Sequence, residues 1–78
     1  MEVDTEKVDE TVLALLYLGL HETARAWKSF DWNAMERLHA KGYIMSPVST
    51  AKSIVLTEKG LRESQKLFCK LFTRSGPP

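Results

Sequence analysis

Apolar residues recur at helical spacing in the first quarter of the chain. One helical face, at offsets i, i+4, i+7 and i+8, is formed by Val8, Val12, Leu15 and Leu16. A second apolar stripe is formed by Leu13, Tyr17 and Leu20. The pattern predicts a helix capped by Asp4 or Thr5 that ends near Gly19. With two apolar stripes, we expect this helix to be buried on much of its circumference or to keep one face for a second subunit.

The next two apolar patterns are shorter. Ala24, Trp27 and Phe30 lie three residues apart, which predicts a helix of two or three turns. Asp31 is positioned to cap another helix, which Gly42 ends as a C′ glycine. The predicted inner face of that helix is formed by Trp32, Met35, Leu38 and His39. Two short helices joined tightly form a helix-turn-helix, whose second member is the recognition helix if DNA is bound.

The periodicity changes after Gly42. Two short apolar runs, residues 43–45 and 53–56, are separated by a polar connection and predict a small β-hairpin, the wing. Thr57 is expected to cap a last helix, whose apolar stripe is formed by Leu61, Leu67, Phe68, Leu71 and Phe72. Gly60 lies in its first turn, where glycine costs ~1 kcal/mol relative to alanine. We therefore expect close backbone packing at that glycine.

The order of these elements predicts a mainly α fold with a small β-hairpin. We interpret it as a winged helix-turn-helix with three helices, a two-stranded wing and a C-terminal helix. A single domain is expected over residues 1–74, followed by a terminal tail at residues 75–78. The chain length of 78 residues is sufficient for one hydrophobic core.

The segments RLHAKGYI and VLTEKG resemble the second half of the winged-helix domains of the MarR and PadR regulator families. The matching positions are Leu38, Lys41, Gly42, Tyr43, Ile44, Val55, Leu56, Thr57, Glu58, Lys59 and Gly60, with Met35 where those families usually have Leu. This resemblance implies a winged helix and DNA binding. With LLYLGLH and ARAWKSFDW included, nearly the whole chain also resembles a family of small uncharacterised bacterial proteins of this fold, which implies no established activity.

Composition favours a soluble cytoplasmic protein. The chain is 44% hydrophobic and 27% charged, which is ordinary globular composition. It begins MEVDTEK, without a signal-peptide pattern, and its longest apolar run, residues 12–20, is about half of the ~20 residues of a membrane span. Cys69 is the single cysteine and forms no internal disulfide, which suits a reducing compartment. We therefore expect no membrane association.

The charges are unevenly distributed although the net charge is only +1. Residues 1–22 contain six acidic residues and one lysine, whereas residues 23–78 contain ten basic and four acidic residues. Candidate DNA contacts are therefore Arg25, Lys28, Asn33, Arg37, Lys41 and Lys52. Asn33 and Arg37, one helical turn apart, are assigned to base edges and the others to phosphates.

Two features of this set weaken the DNA hypothesis. The wing offers only Lys52, and the carboxylates of Asp31 and Glu36 would repel phosphates. The alternative is that these residues are solvated surface charges. We accordingly expect any affinity for double-stranded DNA to be modest and sensitive to salt.

Catalysis and metal binding find little support in the sequence. HETAR, at residues 21–25, shares only its first two letters with the zinc motif HExxH. The spacing of His21, His39 and Cys69 matches no metal-site pattern. We expect His39 to be a hydrogen-bonded structural histidine and Cys69 a small packing residue. The sequence thus predicts no catalytic residues, no metal and no cofactor.

Association with another polypeptide is the alternative function. Candidate homodimer contacts, unless one core uses them all, are Leu13, Tyr17, Leu20, Phe68, Leu71 and Phe72. Three aromatic residues lie close together in the sequence at Trp27, Phe30 and Trp32. They are expected either to form an exposed platform for a partner or to anchor this part of the chain to the core. A DNA-binding protein should gather its cationic residues on one surface without carboxylates. A protein-interaction module should instead leave an apolar patch exposed.

Overall fold

The computed structural model describes residues 1–20, 25–27, 31–47 and 53–74. Its helices and strands, in chain order, are α1 (Thr5–Leu18), β1 (Arg25–Trp27), α2 (Trp32–Ala40), β2 (Ser53–Val55) and α3 (Glu58–Phe72). The two strands form a single antiparallel sheet. The predicted fold class, mainly α with a small β-hairpin, is confirmed by the three helices and the two-stranded antiparallel sheet of the described residues.

Each helix begins at a capping side chain that the sequence predicted. The Asp4 carboxylate accepts a hydrogen bond from the Lys7 backbone amide at 3.2 Å. Asp31 accepts one from the Ala34 amide at 3.1 Å, and Thr57 accepts one from the Gly60 amide at 3.0 Å. Each bond satisfies an amide that the first helical turn leaves without a backbone partner. These caps fix where the three helices start.

The sheet replaces part of a predicted helix. Residues 25–27, expected to be helical, form β1, in which Ala26 pairs with Ile54 of β2. The helical prediction is therefore wrong at these residues; the rest of the Ala24–Phe30 segment lies outside the described residues. Spacings of three over so short a segment do not separate helix from strand. Pairing with β2 and complete burial of Ala26 favour the extended backbone here.

Strand β2 also contacts the segment that follows α2, as the predicted hairpin requires. Ile44 forms an isolated antiparallel bridge with Leu56. The Met45 amide donates to the Val55 carbonyl at 2.8 Å, and the Thr57 amide donates to the Tyr43 carbonyl at 3.0 Å. The two predicted runs are thus neighbours. The polar connection between them, residues 48–52, lies outside the described residues.

The core lies where α1 packs against α2, α3 and the sheet. Its buried apolar residues are Val12, Leu13, Ala14, Leu16, Ala26, Ala34, Met35, Leu38, Ile44, Ile54, Leu56 and Leu67. Helix α1 supplies four of them, and its packing against α3 is the largest helix–helix contact in the described structure. The expectation that α1 is buried on much of its circumference holds only in part, because five of its fourteen residues are buried and six are exposed.

The junction between α2, the following turn and α3 depends on two glycines. Gly42 has φ of +81°, the left-handed conformation expected of a C′ glycine. A Cβ atom on Gly60 would lie 1.8 Å from the Tyr43 carbonyl oxygen. The predicted close backbone packing at Gly60 is confirmed. The first turn of α3 therefore rests directly on the backbone that leaves α2.

Candidate interaction surfaces

An ion pair around a buried carboxylate joins α1 to α2. Asp9 is only 2% exposed although it is charged. Its two carboxylate oxygens accept hydrogen bonds from the Arg37 guanidinium, from Nε at 2.7 Å and from Nη2 at 2.8 Å. Lys41 Nζ lies 3.5 Å from the same carboxylate. This bidentate geometry is the strongest arrangement available to an arginine and a carboxylate, so it fixes the orientation of the Arg37 side chain.

The ion pair also determines the charge that α2 presents. The hydrogen bonds that Arg37 donates to the Asp9 carboxylate are the main cause of a raised pKa for Arg37, so its guanidinium stays protonated. The Asp9 carboxylate offsets part of the positive charge of Arg37 and Lys41. A phosphate approaching these two side chains would therefore meet a neighbouring anion.

Asp9 was not singled out in the sequence, although a signal for it is present. Asp9, Val12, Leu13 and Leu16 follow the offsets i, i+3, i+4 and i+7 of a single helical face. The other three members of that face are buried apolar residues. A carboxylate in such a position requires a cationic partner from elsewhere in the chain, since an unpaired buried charge is very costly.

Among the described residues, the candidate DNA contacts do not form one free cationic surface. Arg37 and Lys41 contact Asp9, as described above. Asn33 and Arg25 are exposed, the first in the opening turn of α2 and the second at the start of β1. Lys28 and Lys52 lie outside the described residues. Asp31 and Glu36 are exposed on or beside α2, where sequence analysis expected them to oppose phosphate binding.

A groove of about 270 Å³ lies beside the ion pair. Its floor includes the buried leucines Leu13, Leu38 and Leu67, and Tyr43 forms part of its wall. The polar part of its lining consists of Glu6, Asp9, Glu10, Lys41 and Glu63. Four of these five side chains are acidic, so the groove does not suit a nucleic-acid phosphate.

The wall of this groove is held in place by contacts around Gly42 and Tyr43. The Thr57 hydroxyl donates a hydrogen bond to the Gly42 carbonyl at 2.6 Å. Lys59 Nζ donates to the Lys41 carbonyl at 3.0 Å and lies 5.0 Å from the centroid of the Tyr43 ring. These bonds connect the C-terminal end of α2 to the first turn of α3. Thr57 and Lys59 are therefore committed to stabilising the fold.

A second surface, at the C-terminal ends of α1 and α3, is apolar. We define the α1–α3 apolar face by the rings of Tyr17, Phe68 and Phe72, which contact one another through Phe68, together with their apolar sequence neighbours Leu18 and Leu71. The Phe68 ring contacts Tyr17 and Phe72, with centroid separations of 5.4 Å and 5.6 Å. Leu18 is 66% exposed, Leu71 45% and Phe72 47%. Three large apolar side chains of this face are therefore substantially in contact with water.

The candidate dimer residues divide between the core and this face. Leu13 is 1% exposed and belongs to the core, and Leu20 is half-buried against the core. Tyr17, Phe68, Leu71 and Phe72 belong to the α1–α3 apolar face. Leu18, which sequence analysis did not select, is the most exposed member of that face. Its position next to Tyr17, within the apolar run at residues 12–20, was the available signal.

The residues considered from the sequence as metal ligands were His21, His39 and Cys69. His39 Nδ1 is 3.1 Å from the Ile44 carbonyl oxygen, the hydrogen bond of a structural histidine. Cys69 is a half-buried free thiol in α3. His21 lies outside the described residues. Within the described part of the chain, no group of three or more His, Cys, Asp or Glu side chains has the geometry to hold a metal ion.

Trp32 begins α2 and is 48% exposed, so it does not anchor the core over its full surface. Phe30 and the side chain of Trp27 are outside the described part of the structure. Among the helices of the described ranges, none has both the length and the apolar character needed to cross a membrane.

Comparison with known proteins places the chain in a family. Residues 4–74 match the family model described as "Domain of unknown function (DUF6429)". The chain belongs to this family. It is 55% identical over 74 residues to "Uncharacterized protein y4hR" of Sinorhizobium fredii (strain NBRC 101917 / NGR234), an alignment that covers 95% of this chain and 100% of that protein. No solved structure matches the chain.

Proposed function

We propose that this member of the family is a non-catalytic protein-interaction domain that docks another polypeptide through the α1–α3 apolar face. The observation that carries the proposal is the exposure of Leu18, Leu71 and Phe72 beside the contacting rings of Tyr17 and Phe68. Exposed apolar side chains gathered on one face are typical of a contact surface, whereas isolated ones are ordinary.

The cationic residues support the same proposal by their arrangement. Arg37 and Lys41, which a DNA-binding surface would need free, contact the buried Asp9 carboxylate. Exposed carboxylates at Asp31 and Glu36 lie on or next to the same helix. Apolar exposure, together with cations that contact a carboxylate, is the pattern expected of an interaction module.

Photo-crosslinking tests this function directly. Photo-activatable p-benzoylphenylalanine replaces Phe72 in one variant and Trp32 in a matched control. The two side chains are almost equally exposed, at 47% and 48%, but only Phe72 belongs to the apolar face. We expect position 72 to form discrete covalent adducts with a polypeptide in an extract of the host cells, and position 32 to form none. Adducts at neither position would overturn the proposal.

Binding of double-stranded DNA is a second candidate function, supported by the exposure of Asn33 and Arg25 and by the resemblance to MarR and PadR regulators. A fluorescence titration of labelled random-sequence duplex at low and moderate salt tests it. Phosphate contacts would make binding weaken steeply with salt. If the chain binds DNA, Asn33→Ala and the double variant Lys28→Glu/Lys52→Glu should each bind the duplex more weakly than the wild type at the same salt concentration. Absence of binding at low salt would leave protein docking as the function.

A further inference from the structure

We propose that the polypeptide docked on the α1–α3 apolar face is a second copy of this chain, related to the first by a two-fold axis. This inference rests on the proposed function, because it names the occupant of the same surface. In a two-fold dimer one patch meets the identical patch of the other copy, so the surface must be complementary to itself. Shape and charge at this face both satisfy that condition.

Shape complementarity comes from a hollow next to exposed apolar side chains. A shallow hollow of about 240 Å³ is lined by Lys7, Glu10, Thr11, Lys70 and Leu71. Two of the lining residues, Lys7 and Thr11, belong to α1. Thr11 follows Lys7 by four residues and Leu18 follows Thr11 by seven, so all three lie on one stripe of the helix. The exposed Leu18 side chain, which projects from α1, and the hollow are therefore parts of one surface. In the proposed dimer, the two-fold axis would be placed so that the apolar projections of each copy enter the hollow of the other.

Charge complementarity points to the same occupant. The hollow is bordered by two cations, Lys7 and Lys70, and by one anion, Glu10. A surface of one sign would repel its own copy, whereas a surface with both signs can place cation against carboxylate across a two-fold axis. The net charge of the chain is +1, so long-range repulsion between two copies is weak.

Sedimentation equilibrium of the purified chain, from about 1 µM to about 1 mM, tests the inference over the range in which modest interfaces dissociate. We expect a monomer–dimer equilibrium. Phe72→Ser and Leu71→Ser should each raise the dissociation constant about tenfold or more, because a two-fold interface loses the contact twice. Trp32→Ser, the matched exposed residue on α2, should leave the dissociation constant unchanged. Circular dichroism verifies that each variant is folded.

Two results would overturn the inference. One is a monomer throughout the concentration range. The other is a dimer that is insensitive to Phe72→Ser and Leu71→Ser, since association would then use a different surface.

The crosslinking experiment separates failure of this inference from failure of the proposed function. An adduct from position 72 with the mass of two chains supports both. If the purified chain is monomeric and position 72 is captured by a polypeptide of another mass, only the dimer is excluded. If the chain is monomeric and position 72 forms no adduct, the docking function is excluded as well.

Discussion

The two halves of α1 depart from ordinary residue distribution in opposite ways. The N-terminal half buries a charge, Asp9, while the C-terminal half exposes a large apolar side chain, Leu18. Asp9 has all the partners it needs within the chain, because Arg37 binds both of its carboxylate oxygens. Leu18 is instead left largely in water. The charge in the first half is thus satisfied within the fold, whereas the second half keeps Leu18 exposed, which the proposed docking would cover.

This difference separates stability from association along a single helix. A buried ion pair contributes little net stability compared with apolar packing, but removing one partner is strongly destabilising. An exposed leucine contributes little to the stability of the folded monomer, but it contributes to affinity when a partner covers it. Substitutions in the closed region around Asp9 should therefore act on unfolding, and substitutions on the α1–α3 apolar face should act on association.

The largest loss of stability is expected at Gly60, beside the closed region. In Gly60→Ala the new Cβ would lie 1.8 Å from the Tyr43 carbonyl oxygen, so the backbone of α3 or of the turn must move. We expect the free energy of unfolding to fall by about 3 kcal/mol, as in severe overpacking. Urea denaturation measures it. Gly19→Ala is the matched control, because its Cβ would have contacts no closer than 3.7 Å. Equal stability of the two variants would contradict the structure.

A strong loss is also expected when Arg37 is removed. Arg37→Met leaves the Asp9 carboxylate buried with only Lys41 Nζ, at 3.5 Å, as a cationic partner. The urea midpoint should fall further than in Lys41→Met, because the shorter and bidentate contact is lost. Replacing both partners, in Asp9→Leu/Arg37→Met, should recover much of the loss, since no uncompensated charge remains. A double variant less stable than Arg37→Met would argue against this account.

The response of the ion pair to alkali follows from the same contact. The pKa of Arg37 is raised by the hydrogen bond to Asp9, so it is higher in the folded chain than in the unfolded one. The stability that this shift contributes is fully present below the unfolded pKa and is lost only in strong alkali. Between pH 7 and pH 10, the difference in unfolding free energy between the wild type and Arg37→Met should therefore stay constant.

A smaller effect is expected at the turn after α2. Gly42 has φ of +81°, a conformation that costs a residue with a Cβ about 1–2 kcal/mol. Gly42→Ala should lower the free energy of unfolding by about 1 kcal/mol, and Gly42→Asn by less, because Asn tolerates this conformation better. Thermal and urea unfolding measure both. If the alanine variant were as stable as the wild type, the left-handed cap would be refuted.

Sequence reasoning succeeded where local physical chemistry decides the structure. Asp31 and Thr57 were identified as caps because few side chains can satisfy the first amides of a helix. Close packing at Gly60 was predicted because glycine is unfavourable inside a helix unless the space of a side chain is occupied by another group.

Failures came where contacts distant in sequence decide the structure. Ala26 was assigned to a helix, but its pairing with Ile54 joins positions 28 residues apart in the printed numbering. Arg37 was assigned to a DNA base because nothing in α2 reveals the carboxylate of Asp9, which lies 28 residues earlier. The candidate site was therefore only partly predictable. The apolar members of α1 and α3 could be proposed from periodicity, whereas their division between core and surface depends on how the two helices cross.

The smallest effect on stability is expected at Leu18, and it provides the sharpest test of the comparison within α1. Leu16 and Leu18 occupy the same helix but are 1% and 66% exposed. At a concentration where the chain is monomeric, Leu16→Ala should lower the free energy of unfolding by about 3 kcal/mol. Leu18→Ala should change it by less than about 0.5 kcal/mol, because little apolar area is lost from the core. Since both substitutions exchange leucine for alanine inside one helix, helix propensity cancels. A comparable loss in both variants would mean that Leu18 belongs to the core of the monomer and is not available to a partner.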